Sequence, residues 1–277
     1  MLKELGRQLI YAFSNGAQGG NPSYVIATSG SWSPCEQEYI HIASERACEV
    51  THIHFDERLG KAQVRFYVAA GAIVFCGHGA LAATAWAVVA GRAMNNLFLD
   101  YGSGMLKMYI SSDGTLSFIE QVGTWRELPL NQTLREYVTA MLGLNVLPEQ
   151  GISIWLGGRQ RTKALILLPD REWLAQLHIQ PDLRDQFCCQ YEVTGIYNFA
   201  IERRGYLAAR HFPYASTTED MATGNIASTL AALVCGTDPH RLNIAQGGVR
   251  CTEANLYLRP HAKDCWFVGG RCRIGNR

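Results

Sequence analysis

The sequence predicts an α+β chain of two pseudo-symmetric domains, each a mixed β-sheet or barrel wrapped around a central apolar helix. Three observations carry this. Segments rich in β-branched and aromatic residues recur along the whole chain. Two Ala-rich stretches are apolar on every face of a helix, the pattern of a helix at the centre of a domain. The same order of strand, Gly turn and helix occurs twice, about half the chain apart. The first copy is Arg65-Phe66-Tyr67, Cys76-Gly77-His78, then Ala80-Leu81-Ala82-Ala83-Thr84-Ala85-Trp86. The second is Arg210-His211-Phe212, Thr223-Gly224-Asn225, then Ile226-Ala227-Ser228-Thr229-Leu230-Ala231-Ala232. The 277 residues suffice for one large domain or two of about 130–140 residues each. The repeat favours two, over residues 1–122 and 123–277, with the final strand able to pack back toward the first.

Taken in order, residues 8–13, 24–28, 51–55 and 64–68 read as strands. Between them, residues 34–47 read as a helix. Ser33 is a natural N-cap, Pro34 suits the first helical position, and Glu36 completes a capping box with Ser33. Glu49 falls just past the end of that helix. Residues 66–91 carry no formal charge and are long enough to span a bilayer. The run is broken by glycines and dominated by Ala, so it divides instead. Residues 64–68 form a strand, 73–75 a short extended piece, Cys76-Gly77-His78-Gly79 a turn, and 80–90 a helix ended by Gly91. Residues 105–110 and 115–121 are strands joined through Ser112-Asp113-Gly114, a hairpin signal. Beyond Gly123, helices are expected near 132–142 and 172–177, and strands near 152–155, 163–168 and 195–202.

Composition narrows the function classes. Lys and Arg number 25 against 24 Asp and Glu, a net charge of +1, which excludes a broad basic field for nucleic acid. The nine cysteines are odd in number, lie mostly in apolar settings and form no C-x-x-C pair. They read as reduced thiols of a cytoplasmic protein, without a zinc ribbon or redox motif. Residues 1–7 lack the apolar core of a signal peptide.

The two Gly turns are the leading binding site. The start of a helix presents unpaired N–H groups and the positive end of the helix dipole, and glycine lets a ligand approach that backbone. A single such turn is an ordinary turn; two brought together by a pseudo-twofold axis make a directional carboxylate site. Gly77, His78, Gly224 and Asn225 are therefore the expected carboxylate contacts. Cys76 and Thr223 occupy matching places just before each Gly, and Glu219-Asp220 precedes the second turn. Asp220 reads equally as a turn cap, and His78 as a packed core histidine.

These motifs carry a resemblance. Tyr11-Ala12-Phe13 with Gly20-Asn21-Pro22, Cys48-Glu49-Val50, Phe75-Cys76-Gly77-His78-Gly79, Glu219-Asp220-Met221-Ala222-Thr223-Gly224-Asn225, Gln246-Gly247 and Val268-Gly269-Gly270 follow one another in the order of the PhzF-like family of phenazine biosynthesis. That family shares the diaminopimelate-epimerase fold. The resemblance implies an isomerase without a cofactor, in which a glutamate takes a proton from one substrate carbon and returns it to another. By position that glutamate is Glu49, with Asp220 and His78 assisting, and Gly77, Gly224, Asn225, Cys76 and Thr223 around the substrate. It also implies a homodimer acting on a small carboxylate, with no nucleic-acid or membrane partner and no metal. Burial of Glu49 would poise it for proton transfer in both directions.

Three departures concern substrate identity. Met221 stands where the family has Pro, Val68-Ala69-Ala70 replaces a Thr-Pro turn, and Val50 rather than Thr follows the glutamate. All three are expected to reshape pocket walls and turns. Competing readings remain open. A two-base racemase wants a thiol on each side of the reacting carbon, and Thr223 stands where the second would be. A binding protein would keep the anion site without turnover. A metal site from His52, His54 and His41 rests on His-x-His alone, a weak signal. Cys188-Cys189 reads as a pair of incidental thiols.

Overall fold

β-Branched and aromatic residues in alternation build most of this molecule. The structure is a computed structural model that describes residues 2–31, 35–56, 61–248 and 253–275. It divides into two compact units. The first holds the chain up to Ile119 together with the segment from Gly269, and the second holds Glu120–Val268. The result is a sheet-dominated α+β fold.

The first unit contains β1 (Leu2–Ser14), β2 (Asn21–Gly30), α1 (Glu36–Arg46), β3 (Glu49–Asp56), β4 (Lys61–Val68), β5 (Gly71–Ile73), α2 (Gly77–Val89), β6 (Asn96–Asp100), β7 (Met105–Ile110) and most of β8 (Leu116–Gln121). Ser33 and Pro34 lie outside the described residues, and α1 starts at Glu36 behind Cys35, which makes no side-chain cap bond. The strands follow the order β1-β2-β3-β4-β6-β7-β8. The chain's last strand, β16 (Cys265–Ile274), pairs with β8, and its closing residues pair with β1.

Strand β3 is buried from Glu49 to Phe55, so both of its faces are covered. Alternation sorts its side chains. Val50 and His52 face α1, where Val50 packs with Ile26, Tyr39 and Tyr67, and the His52 ring stacks on Tyr39. Glu49, Thr51 and Phe55 face α2, where Phe55 meets Trp86. Helix α2 packs on β1, β2 and β3 and is buried for most of its length. The uncharged run is thus the end of β4, then β5, then α2. Among the described residues no helix is long and apolar enough to cross a membrane, which says nothing of β-barrel membrane proteins.

The second unit contains β9 (Thr124–Glu127), α3 (Gln132–Leu142), β10 (Ser153–Gly158), β11 (Lys163–Leu167), α4 (Arg171–Ala175), α5 (Pro181–Tyr191), β12 (Gly195–Arg203), β13 (Tyr206–Pro213), a single 3₁₀ turn Gly224–Ile226, α6 (Ala227–Cys235), β14 (Leu242–Gln246) and β15 (Ala254–Ala262). Its strands run β15-β14-β13-β12-β11-β10-β9. Helices α3 and α5 cover one part of this sheet through a core of Val138, Met141, Leu142, Ile166, Phe187 and Ile196. Helix α6 buries Ala227 to Ala231, and its side chains tie down the start of the unit: Ser228 Oγ donates to Gln121 O and Thr229 Oγ1 accepts from Gly123 N.

One succession of pairings occurs in both units. In the first, β2 runs parallel to β3, β3 antiparallel to β4, and β4 parallel to β6. In the second, β11 runs parallel to β12, β12 antiparallel to β13, and β13 parallel to β14. Each parallel step carries helical crossovers, as a parallel connection requires. These are α1 and α2 in the first unit, and α4, α5 and α6 in the second.

Candidate active site

In the first unit the site is built where β3 begins and α2 begins. Glu49 is buried, and Thr51, two residues on and so on the same face, donates from Oγ1 to Glu49 Oε1 at 3.1 Å. Ser23 Oγ lies 2.7 Å from Thr51 Oγ1 and completes a short hydroxyl chain behind the carboxylate. The room for Glu49 comes from Gly79 on the first turn of α2. A Cβ there would collide with Glu49 Oε1 and come within 2.8 Å of the Phe66 ring. Gly77 is nearly as constrained, since a Cβ would stand 3.1 Å from Phe118 Cζ.

His78 joins these groups. Its Nε2 is 3.5 Å from Glu49 Oε2, and its Nδ1 is 3.0 Å from Cys76 Sγ. Cys76 is the N-cap of α2 with extended backbone and makes no side-chain cap bond, so the first N–H groups of α2 are not satisfied by it. Glu49, Cys76, Gly77 and His78 thus come together in one place. Val50 does not join them. It lies on the α1 face of β3, so its difference from the family's Thr alters packing under α1 and not a wall of this site. The hydroxyl beside the glutamate comes from Thr51 instead.

In the second unit, Asp220, Thr223 and the turn Gly224–Ile226 sit on a dense polar network. Thr223 Oγ1 donates to Asp220 Oδ2 at 2.8 Å. Gln246 Nε2 donates to Thr223 Oγ1 at 2.8 Å and to Asp220 O at 2.7 Å. Gln246 Oε1 accepts from Tyr197 OH at 2.9 Å and from Thr223 N at 3.1 Å. His211 Nδ1 lies 3.1 Å from Asp220 Oδ2 and 2.8 Å from Thr223 Oγ1. Its Nε2 is buried against Gly195 and has no hydrogen-bond partner among the described residues. Burial holds the His211 pKa down to about 4, with the Lys163 charge adding to this and Asp220 opposing it. The ring is therefore neutral at physiological pH, with its proton on Nδ1 and shared between Asp220 and Thr223. Burial also lowers Lys163 to about 8, against the pull of Asp220. Glu219 forms an ion pair with Arg210 at 2.9 Å, and Arg210 in turn donates to the carbonyls of Leu174 and Leu177. The amide oxygen of Asn225 is buried and makes no bond within the described residues.

Sequence reasoning named Glu49, Cys76, Gly77, His78, Asp220, Thr223, Gly224 and Asn225. It missed Ser23, Thr51 and Gly79 behind the glutamate. In the second unit it passed over Tyr197 and Lys163, and it gave no role to His211 or Gln246. Thr51 and Gly79 lie beside or within the motifs but were given no role, whereas Ser23, Lys163 and Tyr197 reach their places through strand pairing across long sequence separations. The proposed histidine cluster does not form. His52 and His54 both bond Thr28 Oγ1 on the α1 side of β3, whereas His41 pairs with Glu45 on the exposed face of α1. Eight cysteines, Cys188 and Cys189 among them, are free thiols, and Cys251 lies outside the described residues.

Comparison with known proteins gives this architecture its class. The whole chain superposes on a PhzF-family phenazine biosynthesis protein from Bacillus anthracis at a TM-score of 0.82, covering 100% of this chain and 98% of that one at 15% identity. A protein described as a predicted epimerase from Pseudomonas aeruginosa gives 0.77, with 99% and 97% covered at 14% identity. A hydroxyproline epimerase from Agrobacterium vitis, solved with trans-4-hydroxy-L-proline, gives 0.60, with 99% and 91% covered at 12% identity. At these identities the likeness is one of fold. No curated protein sequence matches the chain. The family model for phenazine biosynthesis-like proteins does, over residues 10–263, and the chain belongs to that family.

Proposed function

We propose that the protein is a cofactor-independent isomerase that moves a proton, and with it a double bond, within a small carboxylate substrate. The observation that carries this reading is the burial of Glu49 in space cleared by Gly79, held at one oxygen by Thr51 and facing His78 with the other. A carboxylate so placed is shielded from water and oriented, which suits a group that must both accept and return a proton. Glu49 is the shuttle. His78 passes protons or bonds a polar substrate group beside it. Asp220, fixed by Thr223 and His211, is a second acid–base candidate. The N–H groups at Gly77, Gly224 and Asn225 are carboxylate donors, and Cys76 and Thr223 flank them.

The recurring succession of strand pairings supports a duplicated origin, with α2 and α6 as the central helices of two related domains. By the family's pattern the protein works as a soluble homodimer in the cytoplasm, which sedimentation of the full chain would test.

A racemase or epimerase of the same fold is the second reading, favoured by Cys76 beside His78 and by the epimerase among the similar structures. Thr223 weighs against it, because its hydroxyl is tied to Asp220 and Gln246 and is no partner for a thiol. Proton NMR in heavy water against a panel of small unsaturated, α-amino and α-hydroxy carboxylates tests both. Double-bond migration with deuterium uptake supports the isomerase. Deuterium at the α-carbon with inversion supports the racemase. Tight binding with neither would leave a carboxylate-binding protein.

A further inference from the structure

The two nitrogens of His211 meet opposite surroundings. Nδ1 lies 3.1 Å from Asp220 Oδ2 and 2.8 Å from Thr223 Oγ1. Thr223 Oγ1 donates to Asp220 Oδ2 and accepts from Gln246 Nε2, so a proton on Nδ1 completes this set of bonds, whereas a bare Nδ1 would set lone pair against lone pair. Nε2 is buried against Gly195 and has no hydrogen-bond partner among the described residues. A proton there would be a buried donor with nothing to receive it. Lys163 stands on that side of the ring. It is 3% exposed and donates to Thr194 Oγ1 at 3.3 Å. Leu165 is level with Tyr197 and Tyr197 with His211, whose rings lie 5.7 Å apart, so Lys163, two residues before Leu165, comes level with Gly195 on the same face of the sheet. On its other side Lys163 pairs with Gly157. Glycine on both neighbouring strands leaves room for the long side chain, and Gly195 is also the residue against which His211 Nε2 rests.

We propose that Lys163 is a positioning residue: its ammonium keeps a second proton off His211, so that Asp220 faces a neutral Nδ1–H donor and not an imidazolium. A like charge beside a base disfavours its protonation. Burial is the larger cause of the low His211 value of about 4, the Lys163 charge adds to it, and Asp220 opposes. Burial raises Cys188 of α5 to about 11 and pushes Tyr197 up, so both stay neutral. Lys163 is itself lowered to about 8 by burial, with Asp220 pulling it up and Arg161, in the turn before β11, pushing it down. It therefore carries its charge at neutral pH. Were His211 to take the second proton, a full ion pair at 3.1 Å would hold Asp220 Oδ2 against proton exchange. This consequence for catalysis rests on the isomerase reading; the coupling of Lys163 to His211 does not.

The experiment follows the His211 ring by nitrogen–proton correlation NMR in the labelled full chain, its signals being those missing from His211→Asn. In wild-type protein at about pH 6 the ring is expected as the neutral Nδ1–H tautomer. Lys163→Met should raise the His211 titration midpoint by at least about one pH unit. Lys163→Arg should leave the midpoint where it is in wild type. With a carboxylate that exchanges, the acid limb of deuterium uptake should move up by the same amount in Lys163→Met and stay in place in Lys163→Arg. A merely structural role would lower stability and leave the midpoint unmoved. An unmoved midpoint in folded Lys163→Met, or an imidazolium or Nε2–H tautomer in wild-type protein at about pH 6, overturns the proposal. If the variants do not fold, the wild-type spectrum decides. A raised midpoint with an unmoved acid limb overturns the role in catalysis. A raised midpoint in protein that exchanges with none of the carboxylates would overturn the isomerase reading and leave the coupling standing.

Discussion

Glu49 depends on a neighbour that has no side chain. Helix α2 could accept alanine at position 79 on propensity alone, but the added methyl would fall on Glu49 Oε1, Thr51 Oγ1 and Phe66. Gly79→Ala is expected to displace the carboxylate. Exchange activity should drop at least about 100-fold, the scale of misplacing a reacting group by an ångström. Overpacking should also lower stability by about 1–3 kcal/mol, read by urea unfolding. Thr51→Val keeps the shape and removes the hydroxyl. It is expected to cost about 1–3 kcal/mol by leaving buried oxygens on Ser23 and Glu49 short of a partner. At this scale the glutamate and its motif could be read from the sequence, but its surroundings could not. The expectation fell on Val50 as a pocket residue. The period of two along β3 puts Val50 on the far face and hands the contact to Thr51.

Among the elements, those with strong periodicity or uniform apolarity were legible. The strand Met105–Ile110 and the helix Gln132–Leu142 fall where the pattern puts them. Helix α2 begins three residues earlier than its Ala-rich stretch, because Gly77 and His78 themselves take helical geometry. Helix α5 was not legible, since Pro181–Tyr191 is mostly polar and only Arg184, Phe187 and Cys188 are buried. Strand β6 begins at Asn96, right after Asn95, residues that locally favour a turn. The turn that leads into α6 is held mainly from β14 through Gln246, a residue that the motif order names but that received no role from the sequence. Gln246→Leu would strip partners from Thr223 N, Tyr197 OH and Asp220 O together. A loss on the order of 3 kcal/mol is expected, seen as a lower urea midpoint, with Asp220 no longer fixed.

For the whole molecule, the apolar cores carry titratable groups whose burial makes stability depend on pH. His52 and His211 are each held down to about 4 by burial, from an ordinary value of 6.5. An unfolded chain takes up these protons first, so stability is full above about pH 6.5 and is lost as pH falls toward 4. Glu120 works in the opposite sense. Burial raises it to about 7 from 4.5, while Ser228 at the head of α6 pulls the other way. Among the described residues its Oε2 has no hydrogen-bond partner. Its contribution is full below about pH 4.5 and is lost as pH rises through 7. With two groups against one, thermal midpoints should decline between pH 6.5 and 4.5. Glu120→Gln should raise the midpoint at pH 8 while leaving it unchanged at pH 4.5, by on the order of 1 kcal/mol or more. An equal effect at both values would remove the carboxyl as the cause. The strand segments recurring along the chain, with the interspersed helices, were enough to read a sheet-dominated α+β fold at this scale. Strands β10, β11 and β12 lie near the expected 152–155, 163–168 and 195–202, whereas β9 was not legible, because its four residues are all exposed and carry no buried face. The central claim, that Glu49 carries the proton, is tested most directly by proton NMR in heavy water with a substrate found among small carboxylates. Wild-type protein is expected to place deuterium in the product. Glu49→Gln should place none while binding the substrate within a few-fold. Deuterium uptake at the wild-type rate in Glu49→Gln would contradict the claim.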